Sequence, residues 1–386
     1  MPPGRRARRR WLVGLAAALL ALPGAATAAG DGKVYVALGD SYSAGPGLAP
    51  TREPGCSRSA ANYASLLAAA LHLGTERRDG WADYSCSGAT ARRDASAVSV
   101  PEQIGWARDD GALGPATRMV TFTAGGNDGW AGRRHDALYA VLAACVRAGS
   151  PCGPQRRVGP VGRLLSEELT GLLPSGVASV VDGLLADGDE RGRWTLPEDL
   201  TTARMLRLVR PLVAELRRAA PSATIAVVGY PSIVPSDGRG CAGPLGLGWS
   251  LEPDETRYLD RLLTAYDRAE RTAVAALDRE RPPVRYVDLR TPSRGHDLCA
   301  GGASWISPPI LAGLGFGGES LHPTAAGMER FAAVVGELRR AVAPPGRPVG
   351  RRARDDPRAA RRALRRDRRT ACRRASKGTR RCRARG

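Results

Sequence analysis

The chain has 386 residues, 43% of them hydrophobic, which is enough to bury the core of one large domain. The net charge of +20 lies at the two ends, because five arginines precede residue 11 and residues 346–386 hold 18 Lys and Arg against 3 Asp. The body between these ends is close to neutral. Its charge therefore provides no basis for nucleic-acid binding by the folded domain.

Residues 1–28 have the pattern of an export signal. Residues 5–10 form a basic start, residues 11–22 are apolar, and Ala26-Thr27-Ala28 is a small-residue cleavage site. The apolar stretch is too short to span a bilayer. We therefore expect cleavage near Ala29, export, and no membrane span in the mature chain. The arginine run also fits a twin-arginine signal loosely, so the export route stays open.

Residues 29–343 are predicted to form one α/β domain. Short apolar runs rich in Val, Ile, Tyr and Thr predict strands at residues 33–38, 81–84, 118–122, 224–228 and 284–289. Helical periodicity is clearest at residues 63–73, 136–147, 203–219, 254–279 and 324–342. Strands that alternate with helices indicate a parallel sheet covered on both faces. The predicted fold is a three-layer αβα domain with a five-stranded parallel sheet.

Two segments depart from this alternation. Residues 153–197 fit no strand, but their leucine spacing has helical periodicity, so we predict a helical insertion. Residues 344–386 are rich in arginine, low in complexity and poor in large apolar residues. Such a segment cannot bury enough surface to offset its ordering entropy. We predict a disordered tail that binds anionic surfaces or polymers.

Polar turn sequences follow the first three predicted strands, where functional residues of a parallel sheet collect. They are Gly39-Asp40-Ser41, Ser85-Cys86-Ser87-Gly88 and Gly125-Gly126-Asn127-Asp128, and Glu319-Ser320-Leu321-His322 precedes the last predicted helix. Each of them alone is also a good ordinary turn. Their joint occurrence, in this order and in this context, favours a functional role.

These residue types are the parts of a serine hydrolase. A serine hydroxyl is a poor nucleophile unless a histidine accepts its proton and donors stabilise the oxyanion that forms. We predict Ser41 as nucleophile and His322 as general base. The main-chain N–H groups of Ser41 and Gly88 and the side-chain amide of Asn127 are the predicted oxyanion donors.

At these residues the sequence resembles the GDSL or SGNH hydrolases, and among them the secreted actinobacterial lipases, esterases and phospholipases. Ser41, Gly88, Asn127 and His322 fall on the four residues that name the family, in the same order, and the resemblance covers roughly residues 33–342. It implies a doubly wound sheet with the active site at its carboxyl edge, hydrolysis of carboxylic esters, and no metal or organic cofactor. We also expect a monomer.

One residue departs from the family pattern. The family commonly has Asp three residues before the histidine, and this chain has Glu319. We predict that the Glu319 carboxylate orients His322 as the third member of a triad, with a main-chain carbonyl, that of Ser320, as the alternative. Asp40 is expected to brace its turn, because neighbouring residues at a strand end point to opposite sides. The His296-Asp297 pair is expected to have a structural use.

Eight cysteines in an exported protein predict four disulfides. Many pairings are possible, and order along the chain favours nearest neighbours: Cys56–Cys86, Cys145–Cys152, Cys241–Cys299 and Cys372–Cys382. The first three pairs also look like the disulfides of the secreted relatives. The sequence has no Cys-x-x-Cys or His-x-x-x-His spacing, which argues against a metal site.

The leading interpretation is a secreted lipase or esterase that acts on lipid acyl esters and is either released or retained at the cell surface. A carbohydrate acetyl esterase is the alternative within enzymes, and an exported protein that binds polyanions or cell wall through its tail is the alternative outside them. An acyl-chain pocket has candidate lining residues, for which core packing is the competing interpretation. They are Trp249, Trp305, Leu245, Leu247 and Ile306.

Overall fold

The computed structural model describes residues 31–75, 80–93, 97–129, 137–146, 197–243, 249–279, 283–309, 311–312, 315–316 and 318–341. The predicted signal, the tail, and all but the last residue of the insertion predicted at 153–197 lie outside the described residues. Within those ranges, no helix has the length and apolar character that crossing a membrane requires.

Five parallel strands form the central sheet, in the order β2-β1-β3-β4-β5. They are β1 Tyr35–Gly39, β2 Trp81–Asp83, β3 Met119–Thr123, β4 Thr224–Val228 and β5 Val284–Val287. Every residue of β1 and β3 is buried, because helices cover both faces, and this explains why these strands contain no charged residue. The predicted five-stranded parallel sheet is confirmed; β1, β2 and β5 are one or two residues shorter than predicted, β3 is shifted by one residue, and β4 has the predicted bounds.

Seven described helices surround or lead into the sheet. They are α1 Ser41–Ala44, α2 Tyr63–Ala70, α3 Val100–Asp109, α4 Leu138–Cys145, α5 Thr202–Ala219, α6 Pro253–Leu277 and α7 Ala325–Val335. The helix predicted at 324–342 changes to a 3-10 helix at Gly336–Ala341. The loops contain further 3-10 turns at Pro54–Cys56, Pro197–Asp199 and Gly301–Ala303. They also contain three short antiparallel ribbons, in which Thr51–Glu53 pairs with Arg58–Ser59, Cys241–Ala242 with Ser250–Leu251, and Leu311–Ala312 with Gly315–Phe316.

Two apolar cores lie on opposite faces of the sheet. One face, with Tyr35 and Ala37 of β1, packs against α2 and α7, and the other, with Val36 and Leu38, packs against α3 to α6. Alternate residues of one strand thus enter different cores, as strand geometry requires. Burial of each large side chain contributes about 1.5–3 kcal/mol. The three-layer αβα fold is confirmed.

The strand order determines where the loops can form a site. In a sheet of order 2-1-3-4-5, the connections after β1 and β3 run to opposite faces, which leaves a crevice at the carboxyl edge between these strands. Ser41 directly follows β1, and the Asn127 loop follows β3. The fold therefore brings these two turns to the same crevice.

Two disulfides join described residues, Cys56–Cys86 and Cys241–Cys299, and both are pairs that order along the chain predicted. Cys145 is also disulfide-bonded. Its predicted partner Cys152 and the predicted pair Cys372–Cys382 lie outside the described residues. The first disulfide attaches the loop after β2, which carries Gly88, to the segment that precedes α2.

Candidate active site

The turn that carries Ser41 is held from two sides. Gly39 has φ 120°, and a Cβ there would lie 2.6 Å from main-chain atoms of Thr123, so the position requires glycine. The Gln103 side chain of α3 accepts a hydrogen bond from Gly39 N at 2.7 Å and donates one to Gly39 O at 3.0 Å. Ser41, the first residue of α1, is thereby fixed relative to the end of β1.

Asp40 caps the helix that Ser41 begins. Its carboxylate accepts from Tyr42 N at 3.0 Å and from Thr123 Oγ1 at 2.6 Å, and it also accepts from the Tyr230 hydroxyl. Burial raises the pKa of Asp40, and these hydrogen bonds oppose that rise. The expectation that Asp40 braces the turn is confirmed.

Hydrogen bonds join the two loops that carry Gly88 and Asn127. Asn127 Nδ2 donates to Ala89 O at 3.1 Å, and the Asp128 carboxylate accepts from Ala91 N at 2.7 Å. Gly88 has φ 79°, and a Cβ there would meet no atom within 4 Å, so open space lies beside it. Because an amide has two N–H bonds, Asn127 retains one that a ligand can accept.

His322 is a buried histidine whose environment favours the neutral imidazole. Its side chain is 5% exposed, and burial lowers its pKa to about 4, while the carbonyl groups of Ser320 and Gly318 oppose that shift. Neither ring nitrogen makes a hydrogen bond of good geometry to a described group. At neutral pH the imidazole is therefore uncharged, which is the form that can accept a proton.

The groups next to His322 bear on the role predicted for Glu319. The carboxylate of Glu319 makes no hydrogen bond to either ring nitrogen, whereas the main-chain carbonyls of Ser320 and Gly318 face the imidazole. Glu319 packs against Gly47 and contributes its carbonyl oxygen, which accepts from His322 N at 3.1 Å. The triad role of Glu319 stays a prediction, and these contacts favour the alternative with a main-chain carbonyl.

Two tyrosines that the sequence did not single out flank His322. The ring centroid of Tyr139 lies 5.2 Å from that of the imidazole with an interplanar angle of 28°, and that of Tyr42 lies 5.5 Å away at 49°. Tyr42 is adjacent to Ser41 in sequence, so this contact also brings α1 beside His322. Only that adjacency could have pointed to Tyr42, and Tyr139 had no distinguishing signal.

The remaining candidate residues lie in structural contacts. His296 Nδ1 pairs with Ala303 O at 2.8 Å, and its ring stacks on Trp305 at 3.9 Å and 5°, in agreement with the structural use expected for it. Trp249, Trp305 and Ile306 are buried in the two cores, which supports packing over a pocket lining. Leu245 and Leu247 lie outside the described residues.

Comparison with known sequences identifies the family. The sequence model of the GDSL-like Lipase/Acylhydrolase family matches residues 37–330, which include every candidate residue from Ser41 to His322. The chain belongs to this family. As a GDSL-like acylhydrolase with relatives named as lipases, it is a carboxylic ester hydrolase.

Two curated relatives of this GDSL-like hydrolase come from Streptomyces coelicolor. Lipase 2 is 31% identical over 305 residues, which cover 77% of this chain and 83% of the relative. Lipase 1 is 28% identical over 338 residues, with 83% and 95% covered.

Solved structures similar to the GDSL-like hydrolase include phospholipase A1 from Streptomyces albidoflavus NA297 and an extracellular lipase from Streptomyces rimosus. The first has a TM-score of 0.48 at 22% identity, and the aligned region covers 80% of this chain and 99% of the phospholipase chain. The second has a TM-score of 0.45 at 21% identity and covers 79% and 99%.

Proposed function

We propose that this GDSL-like hydrolase cleaves acyl esters of lipids outside the cell, with Ser41 as nucleophile and His322 as general base. The observation that carries the proposal is the buried, neutral imidazole of His322 beside the helix that begins with Ser41. The two curated relatives named as lipases support the substrate class. The export pattern of residues 1–28 supports the location.

The proposed reaction has two stages. Ser41 Oγ attacks the ester carbonyl as His322 accepts its proton, and the oxyanion of the tetrahedral intermediate accepts hydrogen bonds from Ser41 N, Gly88 N and the Asn127 amide. His322 then gives the proton to the alcohol that leaves. A water molecule repeats the sequence on the acyl enzyme, with His322 again as base, and releases the fatty acid.

Ester turnover tests this function. We expect the purified protein to hydrolyse p-nitrophenyl esters and to favour medium or long acyl chains over acetate. Turnover restricted to acetyl esters would replace the lipid proposal with the carbohydrate acetyl esterase. No turnover, and no labelling by a serine-directed phosphonate, together with strong binding to DNA or teichoic acid, would favour a polyanion-binding protein.

Glu319→Ala is expected to lower kcat/KM by less than about tenfold, the effect of losing a solvated charge near the site. The reason is that its carboxylate makes no hydrogen bond to the imidazole. Steady-state kinetics of this variant and of Glu319→Gln check the prediction. A loss of about 10,000-fold in both would instead establish the carboxylate as the third member of a triad.

The fall of kcat/KM at low pH, its acid limb, is expected to have its midpoint near pH 4. The reason is that burial lowers the pKa of His322 to about 4 and the base must be neutral in the free enzyme. An exposed histidine would give an acid limb with its midpoint at about pH 6.5. The same shift has no effect on stability above about pH 6.5, where His322 is neutral in both states. The fold loses stability as the pH falls from there toward 4, since the unfolded chain takes up the proton first.

A pH profile of kcat/KM, with thermal unfolding followed at each pH, separates protonation of the base from loss of the fold. A limb near pH 6.5 in protein that is still folded would show that the imidazole is hydrated in the active enzyme.

A further inference from the structure

The main chain just before His322 has an unfavourable conformation. Leu321 is fully buried and has φ 62°, in the left-handed region that residues other than glycine rarely occupy. Such a residue persists only where its surroundings hold it. Leu321 N donates to Ser307 O at 3.0 Å, and Ser307 N donates to His322 O at 2.8 Å, so the main chain of this loop is held on one side.

Tyr42 holds the same loop from the side of α1. Its hydroxyl donates to Leu321 O at 2.7 Å, and its ring packs on the imidazole. Tyr42 is itself fixed, because its N–H is bonded to Asp40 and its ring packs edge-on against Tyr230 with centroids 5.0 Å apart. This side chain therefore connects the residue after Ser41 with the residue before His322.

Tyr139 makes the corresponding connection from α4. Its hydroxyl donates to Ser320 O at 3.3 Å, and its ring stacks on the imidazole. Its main-chain N–H donates to Gly126 O at 3.1 Å, next to Asn127. Tyr139 therefore connects the Asn127 loop with the carbonyl group of Ser320, which faces the imidazole.

We propose that Tyr42 and Tyr139 are positioning residues for His322. Their hydroxyls hold the His322 loop to the Ser41 helix and to the Asn127 loop, and their rings fix the plane of the imidazole between them. The inference rests on the proposed function of Ser41 and His322. Burial raises the pKa of both phenols, so their hydroxyls remain hydrogen-bond donors over the working pH range. The pair replaces part of the orientation that a triad carboxylate supplies in other serine hydrolases.

A simpler role for both rings would be to form the wall of the substrate site. The two roles differ in what the hydroxyl does, because removal of an oxygen atom leaves a wall intact but breaks a positioning hydrogen bond. They also differ kinetically. A wall contributes equally to substrate and transition-state binding and acts on KM, whereas a displaced base acts on kcat.

The experiment compares Tyr42→Phe, Tyr139→Phe and the double variant with Tyr35→Phe as matched control. Tyr35 is the first residue of β1, and its buried hydroxyl pairs with Thr121 Oγ1, in the middle of β3, at 2.9 Å. Each single variant is expected to lower kcat by about 3- to 10-fold, the effect of one hydrogen bond, with KM nearly unchanged. The double variant is expected to lose about 10- to 100-fold in kcat. The control is expected to retain wild-type kcat.

Three further measurements separate positioning from general stability. The rate of Ser41 labelling by a phosphonate is expected to fall in parallel with kcat. Tyr139→Ala is expected to raise the pH of the acid limb, because water then reaches the imidazole, whereas Tyr139→Phe keeps the ring and leaves the limb unchanged. Thermal unfolding gives the stability of each variant. If Tyr42→Phe does not fold, the half-buried Tyr139 carries the test.

Wild-type kcat in both Phe variants and in their combination would overturn the inference, as would losses confined to KM. A loss in Tyr35→Phe equal to theirs would also overturn it, since the effect would then be one of stability. Wild-type protein that neither turns over esters nor is labelled at Ser41 would refute the proposed function itself, which is a distinguishable result.

Discussion

Ser41→Ala is expected to lower kcat by about a million-fold while the protein stays folded. The substitution removes one oxygen atom from a side chain that is 5% exposed, and the main-chain N–H that is proposed to stabilise the oxyanion remains. Residual turnover would come from the oxyanion donors and from substrate binding alone. Active-site titration with a phosphonate, followed by mass analysis of the labelled peptide, checks that Ser41 is the residue modified.

Ser65→Ala is the matched control for this variant. It also removes a buried serine hydroxyl, one that has no hydrogen-bond partner among the described residues, from α2. Its turnover is expected to equal that of the wild type. If Ser41→Ala retained a tenth of wild-type activity with no sign of wild-type contamination, Ser41 would not be the nucleophile.

Asn127→Ala is expected to lower kcat by about 100- to 1,000-fold with little change in KM, the effect of losing one oxyanion donor. The amide lies in the loop after β3 and donates one N–H to Ala89 O, which orients the group and leaves the second N–H for the substrate. Because a donor to the oxyanion acts only in the transition state, kcat and kcat/KM should fall together.

The Asn127 variant also loses the contact with Ala89, so loosening of the Gly88 loop must be measured separately. Arg92→Ala provides that control, because it removes the ion pair between Arg92 and Asp128 in the same two loops without removing a proposed donor. Arg92 is 57% exposed, and its loss is expected to change kcat by less than about threefold. A change confined to KM in Asn127→Ala would show that the amide binds substrate without stabilising the transition state.

The sheet was predictable because its central strands β1, β3 and β4 are buried almost throughout and contain no charged residue. Residues 224–228 were located without error at both ends. Helix α3 was missed, since its apolar residues are few, although the Ser99-Val100-Pro101-Glu102 sequence contains a capping-box signal: Ser99 N donates to Glu102 Oε2 at 2.7 Å.

The positions of the candidate residues were predictable for a similar reason. Polar turns such as Gly39-Asp40-Ser41 directly follow apolar strands, and the parallel sheet brings them to one edge. Contacts between distant segments left no such local pattern. Gln103 is 64 residues from Gly39, and Tyr139 is 181 residues from Ser320, so both hydrogen bonds depend on how the helices pack.

The relation of Glu319 to His322 depends on main-chain conformation that sequence spacing does not determine. A spacing of three residues suits a carboxylate that reaches back to the imidazole. In the structure, Leu321 has a left-handed φ, and the carbonyl groups of Ser320 and Gly318 face the ring instead. A non-glycine residue with this φ is held by tertiary contacts, and those cannot be read from the local sequence.

The hydrogen bond between Tyr42 and Leu321 joins residues 279 positions apart in the chain. Contacts of such long sequence separation form late, because closing a large loop costs entropy before the contact returns any stabilisation. Ser41 leaves the ribosome long before His322. A nascent chain therefore contains the proposed nucleophile without its proposed base, and hydrolytic activity reports that synthesis has passed His322.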